Sequence, residues 1–338
     1  MLYFATYFDI NYLSRGLTMY ESLTQNCSSD FKLFVLALDK KTVDYFERFS
    51  HKNIITVPLE TFEEYFPELN KAKSNRNIVE YYFTLSPFLP LYILDTFPEV
   101  DRITTLDADI YFFSDPSVIF KLCSDASILI TPHNFSEKLK EYEKYGLYNV
   151  SFQSFKNDEH ARACLQDWRS KCMEWCFDHF DEENSRFADQ KYLDEWEGRF
   201  NKVSVIRLPQ AGLAPWNAEN FKLSIRSKII FVNENPLIFY HYHGLRILND
   251  HLAFPNLHGY KVRPGKTLKR IYHTYLIKLK AKSKKRIFND NAVMRYNKIP
   301  QMTFIKLIFG RDDFLLFGSH FLWYLRLRSV FERFKFLK

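Results

Sequence analysis

Glycine is scarce in this 338-residue chain, nine in all, and none falls in a G-x-G-x-x-G or Walker sequence. Gly-rich loops let backbone amides close on phosphates, so their absence argues against the common dinucleotide and P-loop folds. Any nucleotide must be held another way. The five cysteines (Cys27, Cys123, Cys164, Cys172, Cys176) are odd in number and lack zinc-site spacing, and they read as buried thiols. No stretch reaches the roughly 18 uninterrupted apolar residues of a membrane span. The opening "MLYFATYFD" reads as a strand and not as a charged, then apolar, leader. Together these absences predict a reducing, cytoplasmic protein.

Aromatic residues are plentiful, with 34 Phe and 21 Tyr, and a hydrophobic share of 46% against 26% charged fits a soluble globular chain. The length suffices for one large domain or two. The net charge of +7 is unevenly spread. Residues 261–338 hold 20 Lys/Arg and only 4 Asp/Glu, whereas the rest hold 27 basic and 36 acidic side chains. We therefore expect an acidic body over 1–260 and a basic, aromatic-rich helical tail over 261–338.

In the body, strand-like and helix-like stretches alternate, the pattern of an α/β fold with a mostly parallel sheet flanked by helices. Strands are expected at 2–8, 31–38, 53–59 and 102–109. Helices are expected at 14–26 and 40–50, and in a longer region, 77–98, interrupted by Pro87 and Pro90. The second half is less regular, with a strand at 127–133, a long helix at 159–180, a helix opening at 187–196 and strands in 202–208 and 228–244.

The fourth strand ends in "TTLDADIYFFSDP" (104–116). Strand alternation would put Asp107 and Asp109 on one face, where two carboxylates repel unless a cation lies between them. Ligands of open α/β sheets bind beyond the carboxyl ends of the strands, which is where this pair is expected. One reading is a solvated turn. The other is a site for Mn²⁺ or Mg²⁺, hard ions that take carboxylate and phosphate oxygens. In "PLIFYHYHGL" (236–245), alternation brings His241 and His243 to one face, and a neutral imidazole is a common third ligand.

These segments resemble nucleotide-sugar glycosyltransferases with the GT-A fold, of the glycogenin and lipopolysaccharide-galactosyltransferase type. "TTLDADIYFFSDP" is similar to the metal-binding segment of that group, and "FATYFDINYLSRGLTMYESL" to its nucleotide-binding start. "HYHG" matches its "H-F-x-G". "YNVSFQSF", "FADQKYL" and "AGLAPWN" resemble a bacterial branch associated with surface polysaccharides. The likeness spans roughly residues 1–248. It implies that Asp107, Asp109 and His241 hold the metal, with His243 in the variable position. It also implies that Thr6 and Asp9 lie near the donor's base and ribose, and that Asn149 approaches the sugar. Asp189 and Gln190 would then stand at the reacting face, with Trp216 and Asn217 shaping the pocket.

Two departures matter. Ser151 stands where the group often has glycine, which would narrow the sugar site. The "G-x-x-K-P-W" of glycogenin-like enzymes is absent, because "LRILND" follows Gly244. Another cation must face the diphosphate, and Arg76 and Arg246 are the candidates. The expected reaction moves a hexose from a nucleoside-diphosphate sugar, UDP-hexose first, to a hydroxyl of a cell-surface glycan or its lipid-linked precursor. The resemblance favours retention of configuration. Asp189 could serve as base, stabilise an oxocarbenium-like state or orient the sugar. The alternative function is an inactive nucleotide-sugar-binding or scaffold subunit.

In the tail, "KTLKRIYHTYLIKLKAKSKKR" (266–286) and "FLLFGSHFLWYLRLRSVFERFKFLK" (314–338) interleave basic with large apolar residues. Such helices lie in an anionic membrane interface, here the inner face of the cell membrane. A helical subdomain packing on the body or on another subunit has the same composition. No nucleic-acid-binding module is recognisable.

Overall fold

The computed structural model describes residues 1–249, 252–284 and 315–316. Its centre is a seven-stranded sheet in the order β3-β2-β1-β4-β7-β6-β8. The strands are β1 (Leu2–Phe8), β2 (Phe31–Ala37), β3 (Ile54–Pro58), β4 (Arg102–Leu106), β6 (Ile128–Pro132), β7 (Tyr148–Lys156) and β8 (Val203–Val205), with β5 (Ile110–Phe112) outside this sheet. The strands β3, β2, β1 and β4 run parallel, and β8 runs parallel to β6. Only β7, between β4 and β6, is antiparallel to its neighbours. The mostly parallel α/β sheet expected from the sequence is therefore present. Near-continuous runs such as β2 "FKLFVLA" follow from burial on both faces.

Helices cover the two faces: α1 (Leu13–Asn26), α2 (Lys40–Arg48), α3 (Leu59–Tyr65), α4 (Leu69–Asn75), α5 (Ile78–Thr84), α6 (Phe88–Thr96), α7 (Ser117–Leu122) and α8 (Glu159–Glu174). One core, including Phe34, Leu89, Ile103, Phe155 and Trp168, lies on the side of α6 and α8, and another, including Phe4, Leu17, Leu33 and Phe152, lies on the side of α1. The expected helix over 77–98 is instead two. Asn77 opens α5 with a capping box to Glu80, and the chain breaks at Leu85–Pro87 before α6. Pro90 falls in the first turn of α6, where a missing N–H costs no helical bond. That break delivers Ser86 to the site described below. The long helix expected at 159–180 stops at Glu174, and within 187–196 only Lys191–Glu195 forms a 3₁₀ turn, continued by α9 (Trp196–Arg199).

A second, three-stranded sheet joins β5 to β13 (Phe239–His241) and β9 (Ala211–Leu213), with β13 antiparallel to β5 and parallel to β9. Between β9 and β13 a small meander is formed by β10 (Leu223–Arg226), β11 (Ile229–Val232) and β12 (Asn235–Pro236). The chain continues through β14 (Arg246–Asn249) and β15 (Leu252–Phe254) into α10 (Lys266–Lys284). Helix α10 is not free of the body. Leu268, Ile271, Tyr272, Tyr275, Leu276 and Leu279 are all buried against it, in a core shared with Tyr240 and Tyr242. Tyr242 donates to the Ile271 carbonyl (3.0 Å) and stacks on Tyr275 at 3.9 Å between ring centroids. Lys278 and Lys282 pair with Glu21 of α1. The apolar face of 266–284 is thus occupied by protein. The remaining expected tail helix, 314–338, lies outside the described residues except for 315–316.

Candidate metal and donor site

Alternation in β13 divides its side chains between two tasks. Tyr240 faces α10, as does Tyr242 just beyond the strand, and their hydroxyls are engaged there. His241, on the opposite face, is turned towards the end of β4. Pairing of His241 with Ile110 sets it directly beside the residues that precede β5. The Tyr242 amide donates to the Asp109 carbonyl at 2.9 Å and fastens the two together.

Asp107 and Asp109 do converge, but not through strand alternation. β4 ends at Leu106, and the two carboxylates sit in the turn that carries the chain from the large sheet to the small one. The turn is tied at its start by the Asp107 amide, which donates to the Ser151 carbonyl (2.9 Å). One ligand atom from each of Asp107, Asp109 and His241 lies within 4.8 Å of the other two. His241 Nε2 is 3.1 Å from Asp109 Oδ1 and 3.5 Å from Asp107 Oδ2. Two hard oxygens and one imidazole nitrogen suit a divalent ion such as Mn²⁺ or Mg²⁺, so the residues fit the ion that the motif implies.

The electrostatics are those of a charge cluster in a poorly solvated place. Burial pushes the Asp107 carboxyl up to about 6, with His241 opposing the rise and Asp109 adding to it. Burial acts upward on Asp109 too, but His241 and then Arg15 outweigh it and hold that carboxyl well below the usual range. His241 would be neutralised by its burial, yet the pull of Asp109 and Asp107 raises its pKa. His243, beyond the strand, is exposed; its ring lies 5.6 Å from His241 and is not part of the ligand group.

Around this centre the other expected residues take distinct places. The Trp216 ring stands perpendicular to His241 (5.2 Å) and close to His243 (5.5 Å) and His133 (5.1 Å). Asn217 is fully engaged in the fold: its Oδ1 accepts from the Ala214 amide, and its Nδ2 donates to the carbonyls of His133 and Gly212. It fixes the loop that carries Trp216. Asn149 Oδ1 accepts from both the amide and the hydroxyl of Ser151, and Nδ2 faces the Thr131 and Pro132 carbonyls. The Asn149 side-chain oxygen is therefore occupied by Ser151.

Asp189 is buried, and its Oδ2 accepts from Ser86 Oγ, which in turn lies 3.1 Å from the Tyr7 hydroxyl. Burial pushes its carboxyl up to about 7, with Ser86 working against the rise and Asp107 adding to it. Tyr7, Ser86, Thr6, Asp107 and Gln153 line one small cavity of about 10 Å³, room for about one water molecule. Thr6 Oγ1 and Gln153 Nε2 are buried there without a protein partner. Thr6 thus lies beneath the metal site. Gln190 instead donates to the Tyr145 carbonyl at 3.0 Å. Asp9 accepts from the Asn11 and Tyr12 amides and so builds the turn into α1.

Neither candidate arginine forms an ion pair with Asp107 or Asp109. Arg76 spends its Nη groups on Thr84 and the Met173 carbonyl and covers the Phe177 ring. Arg246 is exposed and pairs with Phe254 in the β14–β15 ladder. The cation that approaches the aspartates is Arg15 of α1, buried, with Nη1 4.0 Å from Asp109 Oδ2 and Nη2 donating to the Leu245 carbonyl at 2.7 Å. Arg15 falls in the helix expected at 14–26 and was not among the candidate site residues. The available signal was a charge in the first turn after strand one, at the ligand-binding end of the sheet. His133 was also passed over. Burial pushes its pKa down to about 3, and its ring stacks on Phe135 (4.6 Å, 12°) beside Trp216.

Comparison with known proteins is consistent with this geometry. The glycosyl transferase family 8 profile matches residues 4–171. Two Bacillus subtilis (strain 168) relatives, both uncharacterized proteins, align over most of their length. YfnD is 32% identical over 279 residues, covering 82% of this chain and 88% of its own. The chain belongs to glycosyl transferase family 8. YfnF is 31% identical over 245 residues, 70% of this chain and 79% of its own. Among solved structures, the galactosyltransferase LgtC in complex with donor and acceptor sugar analogs superposes with a TM-score of 0.51 at 13% identity, over 72% of this chain and 87% of that one. That likeness shows the shared GT-A fold. This family 8 member is accordingly a glycosyltransferase with an Asp-Asp-His group at the end of β4. No helix among its described residues is long and apolar enough to cross a membrane.

Proposed function

We propose that this family 8 member transfers a hexose from a nucleoside-diphosphate sugar, UDP-hexose in the first instance, to a hydroxyl of a cell-surface glycan or its lipid-linked precursor, with retention at the anomeric carbon. The observation that carries the reading is the meeting of Asp107, Asp109 and His241 at the sheet's ligand-binding end. These three residues would hold Mn²⁺ or Mg²⁺, which supplies charge neutralisation for the departing diphosphate.

The chain's own residues supply the rest. Asp189 would orient the sugar, and near neutrality its carboxyl is divided between acid and carboxylate, so it can either donate to or accept from a sugar hydroxyl. Trp216, packed against His241 and His133, would shape the donor or acceptor pocket from behind these residues. Ser151, hydrogen-bonded to Asn149, reduces the room at that side and would favour a donor lacking bulk there. Retention is supported by the family resemblance. Attachment to an anionic membrane would fall to the basic segments beyond residue 284, since the apolar face of α10 is buried in the body.

Calorimetric titration with UDP, with and without Mn²⁺, on the wild type and Asp109→Ala tests the reading. Binding that needs the metal and is lost in the variant is expected. GDP binding in place of UDP would correct the donor, and no metal-dependent binding of any nucleotide would overturn the catalytic reading.

A further inference from the structure

The charge balance of the site is set by a residue that lies within "FATYFDINYLSRGLTMYESL" but is not among those to which the resemblance gives a role. Arg15 stands in the first turn of α1, buried between Tyr12, Asp109, Leu245 and Tyr275 of α10. Its Nη2 is anchored on the Leu245 carbonyl at 2.7 Å, but its Nη1 is 4.0 Å from the nearest Asp109 oxygen. That distance is an ion pair and not a hydrogen bond. A buried guanidinium normally gains fork-like bonds to a carboxylate or phosphate. Here one arm is fixed by the backbone and the other is held towards the carboxylates without reaching them.

The arithmetic of charge shows what this placement does. Asp107 and Asp109 contribute two negative charges and Arg15 one positive. A dication added to them, with His241 neutral, leaves the site at plus one, and the guanidinium repels the incoming ion. A diphosphate arriving with the ion reverses the sign of that interaction. We infer that Arg15 is the diphosphate-facing cation of this enzyme, in place of the lysine missing after Gly244, and that it couples metal binding to donor binding. The dication alone is held weakly, and the dication with a diphosphate is held tightly. The inference rests on the proposed nucleotide-sugar function and adds to it a residue and a binding order. Leu245 and Tyr275 place Arg15, so the segment leading into α10 belongs to the donor site.

The test compares wild type, Arg15→Met and Arg15→Lys. Free Mn²⁺ is followed by electron paramagnetic resonance with Mn²⁺ alone, then with pyrophosphate and with UDP. Loss of one charge-assisted contact corresponds to about a ten- to hundred-fold change in affinity. Arg15→Met is expected to bind Mn²⁺ alone several-fold more tightly than wild type while losing about that factor for UDP and for pyrophosphate at saturating Mn²⁺. Arg15→Lys, which keeps the charge, is expected to retain weak binding of Mn²⁺ alone and to recover part of the diphosphate affinity. It also decides the matter if the Met variant does not fold. Unchanged UDP and pyrophosphate affinity in Arg15→Met, or Arg15→Lys behaving like an uncharged variant, overturns the assignment and leaves Arg15 a structural anchor. Wild type that binds neither diphosphate with Mn²⁺ overturns the functional reading itself, and the inference with it.

Discussion

Replacing Asp109 by Asn removes one charge and almost no volume, and the structure allows its cost to be worked out in both states of the site. Without metal, Asp109 is the counter-ion closest to His241 (3.1 Å) and the one that Arg15 approaches (4.0 Å), and its side chain is only 14% exposed. Removing one partner of a buried pair costs about 3–5 kcal/mol. Several features reduce that figure. The amide oxygen of Asn still accepts from His241, Asp107 remains 3.5 Å from the same nitrogen, and repulsion between the two carboxylates is relieved. A loss of about 1–3 kcal/mol follows, which lowers the thermal midpoint by about 1–4 °C in a chain of this size. With ligand the difference widens. Wild type at a hundred times the dissociation constant of its metal–nucleotide ligand gains about 2.7 kcal/mol, and the variant gains nothing. Differential scanning fluorimetry with and without Mn²⁺ and UDP reads both effects. An Asn variant that keeps a metal-dependent UDP shift would falsify the assignment of Asp109 as a ligand.

The ion must displace a proton from His241, whose pKa is raised, so Mn²⁺ affinity should climb with pH through the neutral range; the same titration at pH 6 and pH 8 checks it. The stability sign agrees: His241 stabilises the metal-free fold below its unfolded pKa and loses that contribution as pH rises through its folded one, whereas Asp109, with a lowered pKa, contributes above its unfolded pKa and loses that contribution as pH falls. The Mn²⁺-induced rise in midpoint should therefore be larger at pH 8, and equal rises would show that His241 is not displaced. Ser86→Ala deletes the hydrogen bond that holds Asp189 down, so the acid limb of a rate–pH profile should move up by about one unit, and a limb that stays put would mean that Asp189 does not control it. A chain ending at residue 260 exposes Tyr240 and Tyr242 and loses Tyr275 beside Arg15, so we expect it to be insoluble or unable to bind Mn²⁺ with UDP. A soluble, binding-competent fragment would make α10 dispensable. In Gly16→Ala a Cβ would stand 2.3 Å from a buried Phe8 ring carbon, and the overpacking of about 1–3 kcal/mol exceeds or cancels the helix-propensity gain of about 1 kcal/mol; urea denaturation would expose a clear net stabilisation if this packing argument were wrong.

The sheet, the positions of its early strands and helices, and the metal-ligand types were legible in the sequence. Each rests on a short-range property. Apolar runs of strand length showed β1, β2 and β4, and the Asp107–Asp109 spacing and the histidine segment stood out as residue types with specific chemistry. Even there the reason differed, because a turn and not a strand face brings the two carboxylates together. What only the tertiary structure decided was which distant groups share one place. The pairing of β5 with β13 sets His241 against residues more than a hundred positions earlier, and the break at Leu85–Pro87 puts Ser86 under Asp189. Nothing within the helix expected at 14–26 sets Arg15 apart until α10 and Leu245 close over it, and only the fold shows that the Nη groups of Arg76 go to Thr84 and the Met173 carbonyl. Helix α10 shows the same limit from the other side, since a basic helix with one apolar face has the same composition whether that face meets lipid or protein. Composition records what a face can bury; the surface it meets depends on how the whole chain packs.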